Sequence, residues 1–178
     1  MEELKLGGIK FPKKLIPKGG NDCVMTPPDL AEKIVEYFKP VTSFLEPCKG
    51  EGSFVNAAEK RAKRGLITYI DWCEITQGCD FLQYIPPQKY KWIITNPPFS
   101  KFRAFLKKSM EVADNVVFLC TINHIFGLKA RLRDIKDAGF YIREALLCDT
   151  PESWPSSGFA VGAVYLSRKR GDCKISYL

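Results

Sequence analysis

The chain has 178 residues, of which 46% are hydrophobic and 26% are charged, and this composition predicts a single globular domain. No apolar run approaches the ~20 residues of a membrane-spanning helix, and the N-terminus lacks a secretory signal, so we expect a cytoplasmic or nucleoid-associated protein. The net charge of +7 favours an anionic partner, and nucleic acid is the first candidate. The single histidine and the seven scattered cysteines predict reduced thiols and no metal site.

The N-terminal part of the chain divides into a basic arm and the start of a folded domain. Residues 1–22 are rich in Lys, Gly and Pro and are predicted to form the arm, and residues 23–178 are predicted to form the domain. The stretch MTPPDLAEKIVEYF predicts the first helix. Thr26 suits its N-cap, Pro27 suits its first helical position, and Asp29 suits the positive end of the helix dipole.

Strands and helices then alternate along the chain. The predicted strands are VTSFLEP, LITYIDWCEI, YKWIIT, NVVFLCTI, YIREALLC and FAVGAVYLSR. Helices are predicted over SFVNAAEKRAKRG, with Ser53 as cap and Gly65 at its end, over KFRAFLKKSMEVA, and over LKARLRDIKDAG. This alternation predicts a mostly parallel α/β sheet with crossover helices. The last two predicted strands have no helix between them, so we expect them to pair antiparallel.

A glycine-rich turn and three acids follow the first two strands. Gly50 and Gly52 in EPCKGEGSF allow a tight turn and close approach of a ligand, although the third glycine of a dinucleotide site is absent. Glu46 would repel phosphate and attract an ammonium group, Glu74 suits two ribose hydroxyls, and Asp80 suits an adenine amine. Each position alone is also typical of an ordinary turn. Together they favour S-adenosylmethionine, which has a ribose, an amino group and no phosphate.

The stretch TNPPFS lies directly after the third predicted strand. Asn96 is biased towards an extended conformation by Pro97, and the two prolines stiffen the loop. The Asn side chain and the backbone carbonyls offer acceptors for an amino group, and Phe99 can stack on the flat ring that carries it. We therefore interpret this loop as a site that holds an aromatic amine.

These stretches resemble the motifs of the amino-methyltransferases, which methylate exocyclic amines, above all the N6 amine of adenine in DNA. NPPF is similar to their catalytic motif, FLEPCKGEGSF to their glycine motif, and CEI followed by DFL to the ribose- and adenine-contacting motifs. MTPPDLAEKIV is similar to the segment that folds over the methionine part of the cofactor. The resemblance extends over about residues 23–167, and the motif order resembles the arrangement called gamma.

The resemblance implies a Rossmann-like methyltransferase fold, with a mostly parallel seven-stranded α/β sheet, helices on both faces and an antiparallel final strand. Residues 23–178 would then be a single catalytic domain. The cofactor implied is S-adenosylmethionine, bound by Thr26, Glu46, Pro47, Gly50, Gly52, Glu74, Asp80 and Phe81. The residues implied to hold the target amine are Asn96, Pro97, Pro98 and Phe99.

Substrate recognition is less specified by the sequence. Lys101 and Arg103 are candidate phosphate contacts, and Trp154 suits either stacking on a target base or capping the core. His124 lies just after a predicted strand, and a structural role is favoured. Members of the gamma group usually add a target-recognition domain, which is not evident here, so the recognised sequence is expected to be short and relaxed, or recognition is expected from the N-terminal arm or a partner subunit.

Three functions agree with these features. The first is adenine-N6 methylation of DNA, as in modification systems. The second keeps the chemistry but acts on an RNA adenine or on a glutamine side chain of a protein, and the basic charge favours nucleic acid. The third is a noncatalytic subunit that retains the fold, which the intact acids, glycines and NPPF motif argue against.

Overall fold

The computed structural model describes residues 24–155 and 158–178. The predicted arm, residues 1–22, lies outside this part of the chain, and so does Cys23. The elements follow in the order α1 Pro28–Phe38, β1 Thr42–Glu46, α2 Ser53–Ala62, β2 Ile67–Trp72, β3 Tyr90–Thr95, α3 Phe102–Val112, β4 Ala113–Thr121, α4 Asn123–Phe126, α5 Lys129–Asp137, β5 Tyr141–Cys148, β6 Val161–Ser167 and β7 Lys174–Tyr177. Two short 3₁₀ turns cover Ile75–Gln77 and Phe99–Lys101.

The strands form one seven-stranded sheet in the order β2-β1-β3-β4-β6-β5-β7. Strands β2, β1, β3 and β4 are parallel neighbours, and β6 is antiparallel to both β4 and β5. The predicted mostly parallel sheet is therefore confirmed. The last strand that the sequence pattern located, β6, is the antiparallel one. The seventh strand, β7, was not located by its pattern, and it runs parallel to β5 rather than antiparallel.

Helices cover both faces of the sheet, as predicted. Because successive strand residues point to opposite faces, the neighbouring Phe44 and Leu45 enter different hydrophobic clusters, and both side chains are fully buried. Phe44 packs in a cluster with Ile34 of α1 and Ala58 of α2. Leu45 belongs to the cluster that contains Leu106 of α3. The sheet is thus held from both sides, and its strand ends are fixed in space.

The first two helices begin differently from the sequence prediction. Helix α1 begins at Pro28 with Pro27 in the cap position, so Thr26 is not the N-cap. Helix α2 has Gly52 as its N-cap, with a φ of 91°, and Ser53 is its first helical residue. The Ser53 hydroxyl donates instead to the Thr26 carbonyl, at 2.7 Å. Both polar side chains are therefore free of capping and contribute to tertiary contacts, because the proline pair and the left-handed glycine already set the helix starts.

No helix within residues 24–155 and 158–178 combines the length and the apolar character that crossing a bilayer requires.

Candidate functional site

An open cleft lies at the carboxyl edge of the sheet, where the loops after β1 and β3 meet the segment before α1. Ligands of parallel α/β sheets bind at this edge. The cleft has a volume of about 310 Å³, open solvent included. Its walls are residues 24–26, which we call the clamp segment, the turn at residues 48–51, the start of α2 and the side chain of Asn96. The predicted cofactor turn and the predicted catalytic loop thus border one cleft.

The turn after β1 needs glycine at residue 50. Gly50 has a φ of 52°, which side-chain-bearing residues rarely adopt. A Cβ atom built there would lie 2.9 Å from the sulfur of Met25 in the clamp segment. The Gly50 amide donates to Glu74 Oε2 at 2.8 Å. Glycine therefore permits both the turn and the close approach of the clamp segment.

Glu74 connects the loops that follow β1 and β2. Its Oε1 accepts from the Thr76 amide at 3.0 Å and from the Thr76 hydroxyl at 2.7 Å, while Oε2 accepts from the Gly50 amide. The side chain is buried, with 9% of the residue exposed. A carboxylate oxygen can accept two hydrogen bonds, so Oε2 retains one acceptor direction for a ligand hydroxyl.

Glu46 lies at the end of β1, beneath the turn, and is 1% exposed. Its Oε1 accepts from the Cys48 amide at 2.9 Å, while Oε2 has no hydrogen-bond partner among the described residues. Burial raises the pKa of the Glu46 carboxyl to about 8, against the opposing effects of the neighbouring Thr95 hydroxyl and the Cys48 amide. A buried acid with an unpartnered oxygen is costly to the fold, and a cationic ligand group would relieve that cost.

The remaining predicted cofactor residues differ in how accessible they are. Asp80 is half-buried, and its Oδ1 accepts from the Leu82 amide at 2.9 Å. Phe81 is 1% exposed and packs against Phe105, with ring centroids 5.2 Å apart. Its side chain is therefore part of the core and not a wall of the cleft, and its cofactor contact stays a prediction. Pro47 is likewise buried.

The amide of Asn96 is oriented by the clamp segment. Its Nδ2 donates to the Val24 carbonyl at 2.9 Å and to the Thr26 hydroxyl at 3.3 Å. Both amide protons are thereby engaged, and Oδ1 is the acceptor that remains. Pro98 follows in an extended conformation, with φ −61° and ψ 129°, and its carbonyl accepts from the Lys101 amide at 3.2 Å.

Phe99 has one ring face supported by His124, with centroids 4.5 Å apart and an interplanar angle of 27°. The His124 ring also contacts Phe102 at 5.2 Å, and its Nδ1 is hydrogen-bonded to the Thr121 hydroxyl. Burial, reinforced by the nearby Arg131 guanidinium, lowers the pKa of His124. His124 thus has the structural role that the sequence favoured, and it is neutral where it supports Phe99.

Two of the three expected substrate contacts are engaged elsewhere. The Arg103 guanidinium binds both carboxylate oxygens of Asp134, at 2.5 and 3.0 Å, so it is not a free cation. Trp154 is 9% exposed, and its indole donates to the Met25 carbonyl at 2.8 Å. Of the two roles that the sequence allowed, Trp154 therefore has the capping role, and it is not available to stack on a base. Lys101 is exposed and has no ion pair among the described residues.

Sequence reasoning missed several residues of this site. Val24 and Met25 contribute their backbone carbonyls, and the Met25 sulfur lies beside Gly50. Contacts of this kind have no characteristic pattern of residue types in a sequence. Lys49 lines the cleft, with its ammonium 3.8 Å from the centroid of the Trp72 ring. It belongs to the glycine turn, but the sequence did not single it out as a site residue. Ser53 was recognised as a polar residue at a helix start, but its bond to Thr26 joins parts of the chain that only the fold brings together.

Metal ligation has no candidate cluster in this part of the chain: among residues 24–155 and 158–178, no three His, Cys, Asp or Glu side chains are grouped so that they could hold an ion.

Comparison with known proteins gives similarity at the level of the fold. The sequence matches no protein-family model and no curated protein. A protein assigned as a modification subunit of a type I restriction enzyme from Vibrio vulnificus YJ016 superposes with a TM-score of 0.65 and 16% identity, over 84% of this chain and 45% of that one. The type I restriction enzyme EcoKI M protein gives 0.61 and 14%, over 80% and 43%.

A TehB-like S-adenosylmethionine-dependent methyltransferase from Corynebacterium glutamicum ATCC 13032 Kitasato is similar over most of both chains, 78% of this one and 87% of the other, with a TM-score of 0.52 and 12% identity. The chain spans less than half the length of the two restriction-modification subunits. Together with the strand order and the single antiparallel strand, these similarities show that the chain has the Rossmann-like methyltransferase fold.

Proposed function

We propose that this chain is an S-adenosylmethionine-dependent methyltransferase that methylates the N6 amine of adenine in DNA. The observation that carries the proposal is the position of Asn96, which borders the cleft formed by the glycine turn and the clamp segment. Its amide protons are engaged by Val24 and Thr26, so Oδ1 is the group left to accept from an amine. A methyl donor bound in the cleft would therefore lie next to an amine held at Asn96 Oδ1.

Glu46 and Glu74 are hydrogen-bonded to the cleft residues Cys48 and Gly50, although neither they nor Asp80 line the cleft themselves. The chemistry of these acids suits the groups of S-adenosylmethionine. Glu46 has a buried oxygen without a partner, which suits the ammonium of the methionine part. The free acceptor direction of Glu74 Oε2 suits a ribose hydroxyl, and Asp80 follows in the next loop, where it suits the adenine amine.

The residues of this chain would act by orientation, since direct attack by the amine needs no protein nucleophile. When bound, the cofactor supplies a methyl group activated by a positively charged sulfur. Asn96 Oδ1 would accept a hydrogen bond from the target amine and draw its lone pair out of conjugation with the ring. Phe99, supported from behind by His124, would stack on the base. Holding the amine and the methyl group in line supplies most of the rate enhancement expected of such a site.

DNA is the proposed substrate, and several observations support it. The net charge of +7 favours a polyanion, and Lys101, at the end of the Phe99 turn, has no ion pair with the residues that the structure describes. Two similar structures are named as modification subunits of type I restriction enzymes, and the chain spans less than half of each. We therefore propose action at the nucleoid with a partner subunit or the N-terminal arm supplying target recognition. A target adenine in duplex DNA would have to leave the base stack, at a cost of a few kcal/mol.

The experiment that tests the proposal is incubation with tritiated S-adenosylmethionine and separate samples of duplex DNA, single-stranded DNA, RNA and protein extract. We expect label in DNA, recovered as N6-methyladenine after digestion. Label in RNA alone or in protein alone would replace the substrate by one of the two alternatives. Cofactor binding without label in any sample would favour the noncatalytic subunit.

Asn96→Ala tests the assignment of the catalytic loop. We expect it to lower methyl transfer by at least about 100-fold, while cofactor affinity changes by less than about threefold, because positioning of the amine is lost and the cleft remains. Asn115→Ala is the matched control, because Asn115 is also half-buried and makes several side-chain hydrogen bonds. It lies near the start of β4, at the edge of the sheet opposite the cleft. Equal activity of Asn96→Ala and the parent protein would contradict the assignment.

A further inference from the structure

We propose that Trp154 is a positioning residue of the reaction: its indole N–H holds the clamp segment, residues 24–26, against the cofactor cleft and so keeps the Asn96 amide oriented. The inference rests on the proposed function. Its basis is that three parts of the fold donate hydrogen bonds to the clamp segment. The donors are Trp154 of the β5–β6 loop, Asn96 of the loop after β3, and Ser53 of helix α2.

Each residue of the clamp segment is held by a different part of the fold. The Val24 carbonyl accepts from Asn96 Nδ2 at 2.9 Å. The Met25 carbonyl accepts from the indole of Trp154 at 2.8 Å. At the next residue, the Thr26 carbonyl accepts from the Ser53 hydroxyl at 2.7 Å. A short extended segment has few internal hydrogen bonds, so these three contacts largely determine its position.

The hydrogen bond from Trp154 is suited to fixing the position of Met25. Its side chain is packed into the hydrophobic cluster of α1 and α2 and is only 9% exposed, so the donor has little freedom. Met25, by contrast, is 45% exposed and has no comparable packing. The hydrogen bond from the buried Trp154 indole therefore holds the backbone of the exposed Met25 close to the core. Met25 lies beside Gly50, and its sulfur occupies the space of the missing Gly50 side chain.

Loosening Met25 should affect both sites that the clamp segment borders. On one side it would shift the wall of the cofactor cleft, which residues 24–26 form together with the turn. On the other side it would weaken the two acceptors, on Val24 and Thr26, that orient the Asn96 amide. Trp154 touches neither the cleft nor Asn96 directly, since it does not line the cleft and its polar atom bonds to Met25.

Trp154→Phe tests this inference, because it removes the N–H donor and keeps an aromatic ring in the core. We expect the Kd for S-adenosylmethionine, measured by calorimetry, to rise about fivefold, the effect of one lost neutral hydrogen bond. At saturating cofactor, kcat should remain lowered about threefold or more, because the Asn96 amide is no longer fixed. Tyr165→Phe is the matched control, since it also removes one aromatic donor, to Asn115 Oδ1 at 2.8 Å, away from the cleft.

The comparison separates positioning from general destabilisation. Trp154→Phe should lower the Tm more than Tyr165→Phe, because it also removes buried volume, so both variants are compared well below their Tm values. Under those conditions only Trp154→Phe should change the Kd and kcat. Unchanged Kd and kcat in Trp154→Phe, with a parent protein that binds cofactor and methylates, would overturn the inference and leave the proposed function intact. A parent protein that binds no S-adenosylmethionine would overturn the proposed function, and the inference with it.

Ser53→Ala provides a second variant that does not depend on how well the core accepts phenylalanine. It removes the donor to the Thr26 carbonyl and should raise the Kd by a similar factor. If both contacts hold one segment, the double variant should show less than the product of the two single effects. Independent effects that multiply fully would contradict a shared clamp segment.

Discussion

At the scale of single residues, the acid at the end of β1 is the most unusual group of the site. Glu46 is nearly inaccessible to solvent, and one of its oxygens accepts from the Cys48 amide, while the other has no hydrogen-bond partner in the described part of the chain. Desolvation disfavours the charged form of such a group, and its raised pKa follows from that. Glu74, which the fold uses to tie the Gly50 turn to Thr76, is by comparison well satisfied.

Glu46 should make stability depend on pH. Its pKa is about 8 in the folded protein and 4.5 ordinarily, so between these values the folded state holds a proton that the unfolded state has lost. The free energy of unfolding should therefore fall as pH rises through this window, by up to about 5 kcal/mol. Thermal unfolding of the parent and of Glu46→Gln from pH 4 to 9 measures this difference, and parallel curves would contradict it.

The same group predicts a proton change on ligand binding. An ammonium beside Glu46 favours the carboxylate, so binding of S-adenosylmethionine at pH 7 should release close to one proton. Calorimetry in two buffers of different ionisation enthalpy measures that release, and Glu46→Gln should abolish it.

At the scale of elements, the site is made by loops that follow buried parallel strands and by the clamp segment, which precedes α1. The Phe99 turn is supported by helix α4 through His124, and α4 in turn is tied to α5 by Arg131, whose guanidinium donates to the His124 carbonyl. The glycine turn is held by Glu74 from below and covered by Met25 from above. Support from neighbouring elements is what gives such loops a single conformation.

Gly50→Ala tests the fit between the glycine turn and the clamp segment. Gly50 and Gly65 both have positive φ, 52° and 72°, but a Cβ atom would meet Met25 only at residue 50. Either alanine should cost about 1 kcal/mol of stability through backbone strain. Only Gly50→Ala should also weaken cofactor binding, by about tenfold, because Met25 must move. Equal cofactor affinity of the two variants, measured by calorimetry, would show that the clamp segment adapts freely.

At the scale of the whole molecule, the sheet topology brings the loops after β1 and β3 to one edge, where they border the cleft. The chain as a whole carries a net charge of +7. That excess is not spread evenly among free cations, because Arg103 and Lys107 both contact Asp134. Lys101, nearest in sequence to the Asn96 loop, has no ion pair within residues 24–155 and 158–178.

Binding to duplex DNA should weaken as salt concentration rises, since each phosphate contact releases counterions. Lys101→Ala should reduce the slope of log K against log salt by about 1, while Arg103→Ala should change it much less, because Asp134 already engages the guanidinium. Fluorescence anisotropy with a labelled duplex measures both slopes. Equal slopes for Lys101→Ala and the parent protein would remove Lys101 from the interface.

The sequence by itself determined the alternation of strands and helices, the parallel sheet and the neighbourhood of the Gly50 turn and the Asn96 loop. These features follow from local patterns of apolar, glycine and proline residues, which the fold did not override. The start of α1 at Pro28 departs from the prediction by one residue, and β7, with exposed apolar side chains at Ile175 and Tyr177, has no buried pattern by which to locate it.

Only the tertiary structure decided how individual side chains are used. Trp154 and Met25 are 129 residues apart in the chain, and Asn96 and Val24 are 72 apart. Contacts at such separations depend on where the sheet places its loops. The acceptors are backbone carbonyls, which every residue type has, so the sequence does not reveal them. For the same reason Arg103 looked free in sequence, whereas the packing of α3 beside α5 pairs it with Asp134.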